Sequence, residues 1–136
     1  MVAYSFKGAF ISPILAGTKR QTIRLPRKRH ARPGEEVQLY FGMRTRSCAL
    51  IGRATCQRVS GVRIDLAEQS VVLDDAIAIV GGALNDFARS DGFEGHPPAG
   101  LTPWGHMHRW WRLIHQGDIF VGTLIEWDQL RPSRAP

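Results

Sequence analysis

The 136-residue sequence is short of cysteine, of long apolar runs and, over its first half, of acidic side chains. Each scarcity excludes something. The only cysteines, Cys48 and Cys56, lie eight residues apart in what reads as one extended stretch. On a straight strand that spacing is roughly 26 Å, far beyond disulfide reach. Even spacing puts both on one strand face, where they are expected as small buried hydrophobes rather than a metal pair. The longest uninterrupted apolar run, Ala76 to Val80, is far too short for a transmembrane helix. The N-terminus has no hydrophobic signal core, so a cytoplasmic protein without a membrane partner is expected. Internal repeats are absent too.

The shortage of acid is local. Up to Arg63 there are thirteen Lys/Arg and two Asp/Glu, a balance of +11. From Ile64 onward there are five and ten, a balance of −5. Such asymmetry points to a basic surface for a polyanion beside an acidic half able to lend a catalytic carboxylate. A merely solvated basic face is the plainer reading. Length bounds the rest: one domain over residues 1–130, with 131–136 expected as a disordered tail.

What is present is a series of short strands with Gly-marked bends. Val2 to Phe6 reads as a strand or lead-in, and Thr22 to Leu25 as a strand ended by Pro26. Val37, Leu39 and Phe41 alternate with polar neighbours after the Pro33-Gly34 turn. The next run carries Cys48, Leu50, Ala54 and Cys56 inward, with Gly52 marking a bulge or a barrel corner. Val62–Leu66 and Ser70–Leu73 read as further strands, and Ile119–Trp127 as the last. Helices are expected from Ser12, as N-cap, to a left-handed Gly17, from Leu84 to Arg89, and from Pro103 onward. In the last, Met107, Trp110, Trp111 and Ile114 share one face. The sum is α+β: a small mixed β-barrel with two to three flanking helices.

The chemistry concentrates between Gly17 and Arg32. Lys19 sits among Arg20 and Arg24, and such cationic crowding lowers an amine's pKa toward use as a base. Thr22 is a hydroxyl nucleophile if the two side chains meet. On a regular strand their odd spacing would separate them, so Lys19 has to lie in a turn with the strand starting after it. An exposed lysine and a strand-favouring threonine are the alternative. Arg24 offers a rigid fork for phosphate or a carbonyl edge. Arg20, Gln21 and the run Arg27, Lys28, Arg29 are expected along the ligand, as salt-sensitive phosphate contacts or as a solvated loop. Asp91, before Gly92, is either turn chemistry or a carboxylate able to shuttle a proton. Trp104, in a Pro/Gly loop, is the expected stacking platform, whereas Trp110 and Trp111 are expected in the core. Glu94, His96, His106 and His108 match no standard zinc spacing, and neither metal nor cofactor is expected.

These residues resemble a known family. Gly17, Lys19 and Arg24 match the pattern Gly-x-Lys-x-x-x-x-Arg of the ASCH domain. Ile14-Leu15-Ala16 before it and Pro33-Gly34-Glu35 after it agree. So do Phe87 to Phe93 and the closing helix and strand to Trp127. The resemblance implies a PUA-like barrel with a cleft between barrel and helices, over which residues 95–102 lie. It implies binding of RNA, another nucleic acid or a modified pyrimidine nucleoside. Some small bacterial members hydrolyse the N4-acyl amide of acetylated cytidine, and ribonuclease activity is attributed to others. The amidohydrolases use a lysine, a threonine and a glutamate. The first two fall on Lys19 and Thr22, and the third on Asp91, one methylene shorter. The expectation is a nucleic-acid or nucleoside-binding domain, catalytic or not, of undetermined oligomeric state.

Overall fold

One strand of 17 residues, β4 (Ala49–Asp65), carries the sheet, and every other strand attaches to it directly or through one neighbour. The computed structural model describes residues 1–94 and 100–132. Along its first half β4 pairs antiparallel with β3 (Glu36–Phe41), and along its second half with β7 (Ile119–Trp127). Its far end also holds β5 (Ser70–Leu73), which carries β6 (Ile77–Ile79). β1 (Val2–Phe6) lies parallel on β3, and β2 (Gln21–Arg24) antiparallel on β7.

Two edges therefore face one another, β1 and β2, and the ladder does not join them. The α+β class holds, with eight strands and three helices among the described residues, but the sheet is not closed into a barrel. A side chain spans the gap instead: Arg24 Nη2 donates to the Ser5 carbonyl at 2.7 Å.

β4 runs on where two strands were expected, because β7 pairs with it from Cys56 to Asp65, past Gly61. The bulge expected at Gly52 is there. Leu39 faces Gly52 while Tyr40 faces Leu50, leaving Ile51 as the extra residue. Consequently Ile51 is buried in place of Leu50, and the inward set continues with Ala54 and Cys56. Cys48 precedes the strand and is exposed, so only Cys56 is the buried hydrophobe expected of both. Close packing explains Gly52: an added Cβ would lie 2.8 Å from the Arg131 carbonyl oxygen and from Leu130 Cδ1. That contact comes from β8 (Arg131–Pro132), which pairs with β4 where the tail was expected to be disordered. Residues 133–136 lie outside the described residues.

The helices cover one end of the sheet. A 3-10 turn (Gly8–Phe10) leads directly into α1 (Ile11–Ala16), so Ser12 falls inside the helix and does not cap it. Gly17 closes it in the left-handed conformation, φ 81°. α2 (Ala83–Ser90) buries Leu84, Phe87 and Ala88, the i, i+3, i+4 stripe of an amphipathic helix. α3 (Pro103–Ile114) starts with Thr102 Oγ1 accepting from Gly105 N and Pro103 at its first position. Its buried stripe is Trp104, Met107 and Trp111, rotated from the expected one, so Trp110 is only half-buried and Ile114 is exposed.

The core has two parts. One lies under α2 and α3 and includes Ile64, Val71, Met107 and Leu124; the other lies within the β1–β3–β4 curve, around Tyr4, Val37, Leu39 and Trp127. Phe10, in the 3-10 turn, packs against both. Among the described residues no helix is long and apolar enough to cross a membrane.

Candidate functional site

The open seam between β1 and β2 becomes a cavity of about 180 Å³ once Phe10 and α3 close over it. Lys19, Thr22, Arg24 and Asp91 all line it, beside Phe6, Phe10 and Trp110. The local backbone explains why Lys19 and Thr22 meet. After Gly17 ends α1, the amides of Thr18 and Lys19 both donate to the Pro13 carbonyl at 3.1 Å, and Arg20 N donates to Ser90 O at 2.8 Å. Strand geometry starts only at Gln21. Lys19 thus belongs to the bend, free of the alternation that would have turned it away, while Thr22 and Arg24 share one face of β2.

Lys19 is 3% exposed. Its Nζ donates to the carbonyls of Gln21 (2.8 Å) and Asp91 (2.6 Å), and lies 4.0 Å from Asp91 Oδ1. The ammonium also sits over the rings of Phe10 (4.7 Å) and Phe6 (5.5 Å). Burial pulls its pKa down to about 8; the Asp91 charge opposes this and Arg24 adds to it. The lowering was legible in the sequence, but its main cause is desolvation rather than cationic crowding.

Asp91 is the C-cap of α2 and 5% exposed. Burial raises its pKa, against the lowering effects of Lys19, the Gln21 hydrogen bond and Arg24. Gln21 Nε2 donates to Asp91 Oδ1 at 3.3 Å. Gln21, expected to touch a ligand, is buried and holds the acid in place. Thr22 Oγ1 accepts from Arg24 Nε at 2.9 Å, which leaves the hydroxyl hydrogen available to another acceptor. Arg24 packs over Phe6 and Tyr4, its Cζ 4.9 and 5.3 Å from the ring centroids.

The remaining expected residues scatter. Arg20 is exposed and donates from Nε to Gly17 O, fastening the turn. Arg27 lies over the Tyr4 ring at 4.6 Å and edges an adjoining hollow. Lys28 is exposed and lines neither space. Arg29 is paired with Glu35. Trp104 is not a platform: α3 turns it into the core, where its Nε1 donates to Gln69 Oε1 at 3.1 Å. Trp110 and Trp111 are the indoles that line the cleft, with Lys7 Nζ 5.9 Å from the Trp110 ring. Phe10 and Trp110 were missed as site residues, since their positions depend on a 3-10 turn and a helix rotation that sequence spacing did not reveal. Residues 95–99, including His96 and most of the loop expected over the cleft, lie outside the described residues. His108 Nε2 is 2.9 Å from the Leu66 carbonyl, and the His106 ring packs edge-on against Phe93.

No family model matches this sequence, and no curated protein matches it. Two crystal structures match the fold. ASCH from Zymomonas mobilis aligns with a TM-score of 0.52 at 14% identity, over 96% of this chain and 68% of that one. A tyrosine-to-phenylalanine mutant of the Zymomonas mobilis protein aligns with a TM-score of 0.51 at 14% identity, over 97% and 71%. At such identity the likeness concerns backbone arrangement and leaves the chemistry to this chain's own residues. The chain shares the α+β fold of these ASCH structures.

Proposed function

We propose that the seam cavity takes a pyrimidine base of a nucleic acid or nucleoside, and that it hydrolyses an N4-acyl amide on that base. One observation carries the reading: an amine, a hydroxyl and a carboxyl, drawn from a bend, a strand and a helix end, line one small buried space. Its 180 Å³ lies below the roughly 300–1,000 Å³ of typical drug-sized ligand pockets, which suits a planar ring with a short acyl group.

The hydrogen bonds suit the chemistry. A neutral amine has two N–H groups and one lone pair. With both hydrogens given to the Gln21 and Asp91 carbonyls, the lone pair of Lys19 is left to accept a proton. A pKa of about 8 keeps that neutral form accessible near neutral pH. Thr22 Oγ1 attacks the acyl carbonyl carbon while Lys19 Nζ takes its proton. Arg24, already fixed on Thr22 and Ser5, stabilises the oxyanion with its remaining N–H groups. The C–N bond breaks, and Asp91, whose burial favours the protonated form, gives its proton to the leaving exocyclic amine. Water then releases the acyl group from Thr22 as a carboxylic acid, leaving the free amino-pyrimidine.

The test is incubation with N4-acetylcytidine. Wild type is expected to release cytidine, and both Lys19→Met and Thr22→Val to lose at least about 100-fold in rate, as removal of a general base or nucleophile does. No release by wild type rejects the hydrolytic step. Binding without turnover is the second reading, favoured by the guanidinium groups of Arg24 and Arg27, which have no ion pair among the described residues. It is recognised by RNA affinity that falls steeply with salt while no cytidine is released.

A further inference from the structure

The wall formed by Ile23, Arg24, Trp110 and Trp111 has two sides. One faces the cavity of Lys19, Thr22 and Asp91; the other faces a wider hollow of about 370 Å³. The second hollow differs in kind. Its far wall is aromatic: the His115 ring stacks on Trp111, 4.3 Å between centroids and 20° between planes. Phe120 lies 4.6 Å from Trp111 and 5.2 Å from His115. Desolvation lowers the His115 pKa, so at neutral pH the imidazole presents an uncharged ring. Its near edge is cationic. Arg27 stacks on Tyr4 and donates from Nε to Arg29 O, and its Nη groups bond to no described residue.

Outside the two spaces some cations pair with a carboxylate, as Arg29, Arg58 and Arg112 do, and others, such as Arg20, Lys28 and Arg32, have no ion pair among the described residues. Lys7, Arg24 and Arg27, which line one or both spaces, have no carboxylate within ion-pair distance among the described residues. Arg24 keeps three N–H groups after its bonds to Thr22 and Ser5. Cations without an acidic partner among the described residues, beside an aromatic trough that adjoins a polar cavity, are the two components of single-strand recognition: phosphate neutralisation and base stacking.

Resting on the pyrimidine reading above, we propose that the second hollow holds the nucleotide adjacent to the one in the seam, with the linking phosphodiester on Arg24 and Arg27. The preferred ligand is then a single strand of at least two nucleotides, and a free nucleoside fills the seam alone. A base already stacked in a duplex cannot fill the trough, so duplex RNA is excluded.

The experiment compares calorimetric affinities of cytidine and the dinucleotide CpC for wild type, Arg27→Gln and His115→Ser, with circular dichroism to verify folding. Wild type is expected to bind CpC at least about tenfold more tightly than cytidine, the gain from one stacked base and a phosphate contact. In each variant the CpC-to-cytidine ratio is expected to fall toward one. Cytidine binding as tightly as CpC to wild type overturns the two-nucleotide assignment while sparing the pyrimidine reading. So does a ratio left unchanged in both folded variants. Binding of neither ligand by wild type removes both readings together.

Discussion

Gly92 determines whether Lys19 can occupy the cleft. Its φ of +103° lies where side-chain-bearing residues are strained, and a Cβ there would meet Lys19 Cδ at 2.9 Å and Phe10 Cδ1 at 3.0 Å. Gly92→Ala is therefore expected to lower stability by about 1–3 kcal/mol, read as an earlier urea midpoint with an unchanged slope. An unaltered midpoint would mean that neither the strain nor the contact matters. Lys19 itself makes stability depend on pH. Its pKa falls from 10.5 unfolded to about 8 folded, so between those values the unfolded chain binds the extra proton. Stability from this group rises with pH across that window and is flat below it. Wild type should gain on Lys19→Met between pH 8 and 10.5 in urea titrations; a constant difference would contradict the burial of a titrating amine. At this scale the sequence was informative about which groups would share one cavity. Lys19, Thr22, Arg24 and Asp91 were all legible, whereas Gln21 and Trp104 were misplaced because nothing local signals that a polar or aromatic side chain turns inward.

Among elements, β2 does most to set the site, since one of its faces and its edge position put Thr22 and Arg24 in the seam. Its antiparallel ladder holds it against β7, and Gly122 allows the close approach at the ladder's end. A Cβ there would lie 2.5 Å from the Arg24 carbonyl oxygen and 2.6 Å from Phe120 Cε2. Because the first obstacle is backbone, the strands have to part. Gly122→Ala is expected to cost about 1–3 kcal/mol and to weaken ligand binding as Arg24 shifts, measured by thermal denaturation and by cytidine affinity in parallel. Loss of stability with intact affinity would detach Arg24 from the site. The strands were visible as alternation, and α2 as a short helix from Leu84 to Arg89. The continuity of β4 was not, because Gly61 looks like a break between two strands until β7 pairs past it. The α3 face was misjudged for a related reason: Trp104, Trp110 and Trp111 fit more than one helical stripe, and packing against β4 and β7 selects among them.

In the whole molecule the two charge halves of the sequence become the two sides of one cleft. The basic half supplies Lys19, Arg24 and Arg27; the acidic half returns Asp91 through α2. The sheet that joins them stops short of closure, and Lys19, Thr22 and Asp91 stand beside the gap that Arg24 spans. No sequence pattern announces this seam, since it arises from β1 pairing in parallel with a strand some thirty residues away. The most direct test is NMR titration of the three lysine side chains, Lys7, Lys19 and Lys28, with and without N4-acetylcytidine. The expected result is one resonance titrating near about 8, absent in Lys19→Met and displaced by the nucleoside. A spectrum with no lysine titrating there, or with one that ignores the nucleoside, would contradict the placement of a buried, reactive amine at a pyrimidine site.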